Sequence, residues 1–167
     1  ADAVETKKAV KAAIEHEGPV YIRLGRLGVP VIFDEYNYKF ELGRGVTLTE
    51  GTDVTIIATG LMVHIALEAA DVLENEGVKA RVINIHTIKP LDRDIVIRAA
   101  RETGAIVVVE EHTVFGGLGS AVAEVLAENY PVPLKRVGIR DKFGRSGKPG
   151  ELMELYGLTA KNIVEKA

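Results

Sequence analysis

From residue 51 onward the chain alternates between two hydrophobic periods. Residues 53–60 (DVTIIATG) are apolar at nearly every position, and Met62, Ile65, Ala66, Ala69 and Leu73 then recur at helical spacing. The first pattern is that of a strand buried on both faces, the second that of one face of a helix. The alternation repeats, predicting strands over 80–85, 105–111 and 134–139 and helices over 93–103 and from about 118. Two short helices, over 149–156 and 159–166, close the chain. Fully apolar strands alternating with amphipathic helices imply an α/β fold: a mostly parallel open sheet with crossover helices on both faces.

The first 50 residues read differently. Val4, Ala9, Val10, Ala13 and Ile14 predict a helix over 4–16, with Asp2 as its N-cap and the sequence EGP as its stop. Residues 20–24 (VYIRL) predict a short strand. Residues 25–45 carry glycines at 25, 28, 43 and 45 and Pro30 without a sustained period, the pattern of a connector holding one or two short edge strands.

Composition excludes several classes of function. The chain has 167 residues, enough for a real core, with both signs of charge intermixed and a net charge of −3. That balance gives no reason to expect nucleic acid or an anionic membrane as partner. No apolar run approaches the ~20 residues of a membrane helix, and the opening ADAVETKK lacks a signal-peptide pattern. Without cysteine there is no disulfide, thiolate nucleophile or Cys-ligated metal, so a cytoplasmic location is the expectation. The absence of glutamine beside abundant Lys and Glu is the balance expected of a heat-adapted, thermophile-type protein.

Candidate chemistry concentrates in the stretch VVVEEHTVFGGLGSAVAEVL, residues 107–126. Gly117 and Gly119 could open a dinucleotide fingerprint, with Asp141 as the ribose-binding acid, but Val122 occupies the third glycine's place. A loop whose glycines start a helix is the simpler reading. Glu110 and Glu111 are adjacent, so in a strand they face opposite ways and cannot act as one acid–base pair; a glutamate at the strand's end can still line a crevice. His112, His64 and His86 stand alone; His64 falls on the polar, solvated side of its helix, and none forms a metal-ligating pattern. Arg23 and Arg26, bracketing the end of the predicted strand, offer planar forks for phosphate or carboxylate. Residues 141–158 mix basic residues with glycine but lack the spacing of a phosphate loop.

Four stretches, in order over nearly the whole chain, resemble the C-terminal region of transketolases: residues 1–26, 51–92, 107–128 and 138–164. The wording NIHTIKPLD is most similar to two-chain transketolases. Deoxyxylulose phosphate synthase and the beta chains of 2-oxo-acid dehydrogenases are the alternative relatives. The resemblance implies an enzyme that moves a two-carbon ketol unit between sugar phosphates, using thiamine diphosphate and a divalent cation such as magnesium. In that family a GDG motif, absent here, holds the diphosphate and metal, and a middle-domain glutamate activates the cofactor.

The chain is therefore expected to hold the end of the middle domain (1–26), a linker (27–47) and the C-terminal domain (48–167), and to bind no cofactor or metal and be inactive alone. Its expected partners are the remaining transketolase domains or an N-terminal chain, in a homodimer-type assembly. Arg26 matches the family's substrate-phosphate arginine, with Arg23 as a second candidate. Glu111, His112, Gly116 and Gly117 are expected to shape a contact between domains or subunits.

Overall fold

The computed structural model describes residues 1–167. Its order is α1 (Ala3–Glu15), β1 (Val46–Thr49), β2 (Val54–Ala58), α2 (Met62–Asn75), β3 (Ala80–Asn84), α3 (Arg93–Thr103), β4 (Ile106–Thr113), α4 (Leu118–Asn129), β5 (Leu134–Ile139), α5 (Pro149–Tyr156) and α6 (Ala160–Val164). The strands form one sheet in the order β1-β3-β2-β4-β5, parallel except for β1, which runs antiparallel to β3.

Period-two alternation along the buried strands divides the core between two faces. Val54, Ile56, Val82, Val107, Val109 and Val137 face α2 and α6, with Ile163 of α6 closing that layer. Ile57, Ile83, Ile106 and Val108 face α3 and α4. Ala66 and Ala69 are fully buried on α2, and their small side chains let α6 approach closely. Helices on both faces of a mostly parallel sheet were the arrangement expected from the hydrophobic periods.

The N-terminal quarter departs from expectation in two ways. Residues 20–24 form no strand; they are exposed and irregular. A strand segment needs neighbours for its N–H and C=O groups, and residues 20–24 lie beside neither open edge of the sheet as a paired strand. The edge strand lies at Val46–Thr49 rather than within 25–45.

Helix α1 is fixed to the rest of the chain by carboxylates, not by an apolar stripe: its one buried residue is Glu5. Asp2 caps the helix by accepting from the Glu5 N–H (2.8 Å), while its other oxygen accepts from the Ile32 and Phe33 N–H groups (2.8 and 2.9 Å). Glu5 accepts from the Tyr38 hydroxyl (2.6 Å) and the Asn84 amide (2.7 Å). Burial and the adjacent Glu5 carboxylate push the Tyr38 phenol well above its ordinary range, so it stays a donor. Asn84 ends β3, so this joint sets α1 at the carboxyl edge of the sheet.

Candidate functional site

In open α/β sheets, ligands gather outside the carboxyl ends of the strands where the strand order reverses. Here that point lies between β2 and β4. The β4-to-α4 turn on its rim is built around Glu110, which is 1% exposed. Its two carboxylate oxygens accept from the Leu118 and Gly119 N–H groups at 2.8 and 2.9 Å. A methyl group on Gly117 would lie 2.1 Å from a Glu110 oxygen, and one on Gly119 would lie 2.7 Å from the Arg136 side chain. The glycines therefore make room for the carboxylate and for Arg136.

This geometry removes the dinucleotide reading of the turn. The N–H groups that would cradle a diphosphate are already taken by a buried carboxylate, whose charge repels phosphate. Glu110 thus turns inward to cap a helix, a role its position in the sequence did not disclose. The available signal was a carboxylate ending a strand buried on both faces, followed by a glycine pair and a helix.

The expected site residues fall into two groups. Arg23 donates to the Glu111 carbonyl (3.3 Å), so the exposed segment 16–28 crosses the end of β4 and brings these two residues together. Arg26 is exposed and makes neither a hydrogen bond nor an ion pair. His112 and Gly116 are exposed beside Phe115, which is 61% exposed, whereas Gly117 is buried against Glu110. Ser120 ties the turn, accepting from the Gly116 N–H (2.9 Å) and donating to the Val114 carbonyl (3.1 Å).

His64 and His86 are less exposed than their surroundings in sequence suggest. His64 is half-buried, with Nδ1 enclosed and unpaired, which corrects its reading as a solvated residue. His86 follows β3, stacks on Phe40 at 4.2 Å and meets the Thr87 hydroxyl at 2.8 Å. Burial pulls its pKa below the ordinary imidazole value, against the opposing pull of Glu5. Nowhere do three His, Asp or Glu side chains converge as a metal site would need. No helix is long and apolar enough to cross a membrane.

Residues 43–163 match the model of the transketolase C-terminal domain. The chain belongs to the transketolase family. It is 51% identical over 166 residues to the 6-deoxy-6-sulfo-D-fructose transketolase subunit SqwH of a Clostridium species, covering 99% of this chain and 51% of that one. It is 46% identical over 168 residues to 1-deoxy-D-xylulose-5-phosphate synthase of Heliobacterium modesticaldum, covering 99% of this chain and 26% of the synthase. Among solved structures, a split-gene transketolase described as an inactive beta4 tetramer superposes with a TM-score of 0.96 at 56% identity, over 99% of this chain and 54% of that one. The chain thus corresponds to the C-terminal part of transketolase-family enzymes and spans about half the length, or less, of the relatives it matches.

Proposed function

We propose that this chain is the C-terminal part of a thiamine-diphosphate-dependent transketolase that transfers a two-carbon ketol unit between sugar phosphates. The observation that carries the reading is the match of 99% of the chain to a transketolase subunit and a split-gene transketolase. Residues 1–26 then complete a preceding domain, 27–47 link to it, and 48–167 serve assembly. The exposed apolar stretch Val20–Leu24 supports this division, because it has strand composition but no sheet of its own.

Thiamine diphosphate with a divalent cation would supply the carbanion chemistry in the assembled enzyme. The residues of this chain do not fit that group. No carboxylate cluster converges to hold the cation, and Asp2 and Glu110, at the sheet's carboxyl edge, already hold backbone N–H groups. Cofactor and metal belong, on this reading, to the rest of the enzyme, and the chain alone is inactive in a homodimer-type assembly with that remainder. Arg26 contributes a free guanidinium for the substrate's phosphate, Arg23 braces the segment on Glu111, and Glu111, His112 and Gly116 face the neighbouring part.

The test is Arg26→Ala in the enzyme reconstituted with its N-terminal part. One charge-assisted contact is worth about 1.5–3 kcal/mol, so kcat/KM for phosphorylated sugars should fall roughly tenfold to a hundredfold. An unphosphorylated ketose should lose much less, and Arg26→Lys should recover part of the loss. Equal losses with and without phosphate would refute the assignment. The identity to the synthase favours one second reading: turnover that requires a 2-oxo acid donor in place of a ketose phosphate would establish it.

A further inference from the structure

The segment joining β5 to α5 is charged out of proportion to the chain. Residues 134–148 contain Lys135, Arg136, Arg140, Lys142, Arg145 and Lys148 against a single acid, Asp141, in a chain of net charge −3. None of these six cations, nor Lys166 at the end of the chain, makes an ion pair, whereas Arg44, Arg81 and Arg93 each meet a carboxylate. Arg136, Arg140, Lys142 and Lys166 line one groove of about 180 Å³ between the end of β5 and α5–α6.

The groove is held open by side-chain contacts to the backbone. Arg136 donates to the Val114 carbonyl (2.8 Å), and its guanidinium lies 6.0 Å from the Phe115 ring. Arg140 reaches the Arg136 carbonyl (3.4 Å), and the Tyr156 hydroxyl donates to the Phe143 carbonyl (2.9 Å). Asn162 donates to the Gly157 carbonyl (2.7 Å). With the Arg136 head held at the Val114 carbonyl, Arg140, Lys142 and Lys166 leave three like charges at one concave surface, which repel one another and raise the local concentration of anions. A second groove of about 420 Å³ adjoins it, sharing Lys142, Leu155 and Tyr156 and bordered by Phe143, which is 98% exposed.

We infer that this basic groove binds a small polyanion of the phosphate class, with its charged end on Arg140, Lys142 and Lys166 and any uncharged body along Phe143 and Leu155. Concavity favours a small ligand over the broad surface an acidic protein would need. The site lies on the β5 side of the sheet and uses neither Arg26 nor the β4–α4 turn, so it stands independently of the transketolase reading.

The experiment is isothermal titration calorimetry of the full chain with inorganic pyrophosphate, a hexose monophosphate and hexaglutamate at constant ionic strength. Pyrophosphate should bind saturably at one site, and its affinity should fall steeply with added salt. Lys142→Ala combined with Lys166→Ala should weaken it by about tenfold or more, as expected for losing two charge-assisted contacts. Arg140→Gln should weaken it too, and Lys7→Ala with Lys11→Ala should leave it unchanged. Tighter binding of the hexose phosphate than of pyrophosphate would assign an ester ligand, with its body on the second groove. The inference is overturned by the absence of saturable pyrophosphate binding up to roughly 10 mM. It is equally overturned if Lys7→Ala with Lys11→Ala weakens binding as much, or if hexaglutamate binds and pyrophosphate does not compete.

Discussion

Replacing Glu110 by alanine tests the central joint of the fold. Glu110 is fully buried and accepts two N–H groups from the first turn of α4. Each charge-assisted bond contributes about 1.5–3 kcal/mol, and the helix N-terminus adds up to about 1–2 kcal/mol for a partly buried anion. Because the two bonds share one side chain they are not additive, and Glu110→Ala should cost about 3–5 kcal/mol. For a domain of this size that corresponds to a fall in Tm of roughly 6–20 °C. Glu110→Gln keeps the shape but turns one donor towards an N–H group, so about half the loss should remain.

Gly117→Ala should also destabilise, because its methyl would sit 2.1 Å from the carboxylate and 2.8 Å from the Thr113 carbonyl. The double variant should cost clearly less than the sum of the two, since removing the carboxylate clears the nearer obstacle. Urea unfolding followed by circular dichroism measures all four proteins. A loss below about 1 kcal/mol for Glu110→Ala, or a cycle additive within about 0.5 kcal/mol, would refute the joint.

Two further outcomes follow from the N-terminal joint and from His86. Asp2→Ala removes one cap bond and two bonds to Ile32 and Phe33; amide exchange over residues 3–15 should accelerate strongly, with little change at residues 106–109, and equal acceleration in both would contradict a local joint. His86 has its pKa lowered chiefly by burial, with Glu5 and Asp92 pulling upward; stability should therefore hold above its unfolded value of about 6.5 and decline as pH falls through the folded value, and His86→Phe should flatten that decline, as read by unfolding midpoints between pH 7 and 5.

The α/β layer was legible because its signals are local. A run such as Ile106–Val109, apolar on both faces, states its environment without reference to the rest of the chain. The joints were not legible. Asp2 reads as a cap, which it is, but its second oxygen holds residues thirty positions away, and nothing local marks that pairing. Val20–Leu24 has strand composition, yet composition cannot supply the neighbouring strand that would order it. His64 was misplaced because helical spacing puts it beside Glu68 on the polar side, whereas packing around α2 encloses its Nδ1. The basic groove escaped because one of its cations, Lys166, arrives from beyond α6.

Asp2, Asp92 and Glu110 use one device at the carboxyl edge of the sheet. Asp92 caps α3 through the Ile95 N–H (3.2 Å) and also accepts from the Gly45 N–H (2.9 Å), joining the strand β1 approach to the helix. Each carboxylate occupies a helix N-terminus, the place where such sheets otherwise receive a ligand's phosphate. An edge filled with its own anions repels another, so α1, α3 and α4 offer no attraction to a charged ligand there. Unpaired positive charge lies instead on side chains, among them Arg26 on the exposed N-terminal segment and the cations around β5 and α6. Side-chain cations act over a longer reach than a helix terminus, whose effect falls off within one turn. The two cationic surfaces are therefore where the proposed anion recognition is to be tested, while the carboxylates at α1, α3 and α4 hold the chain's own connections together.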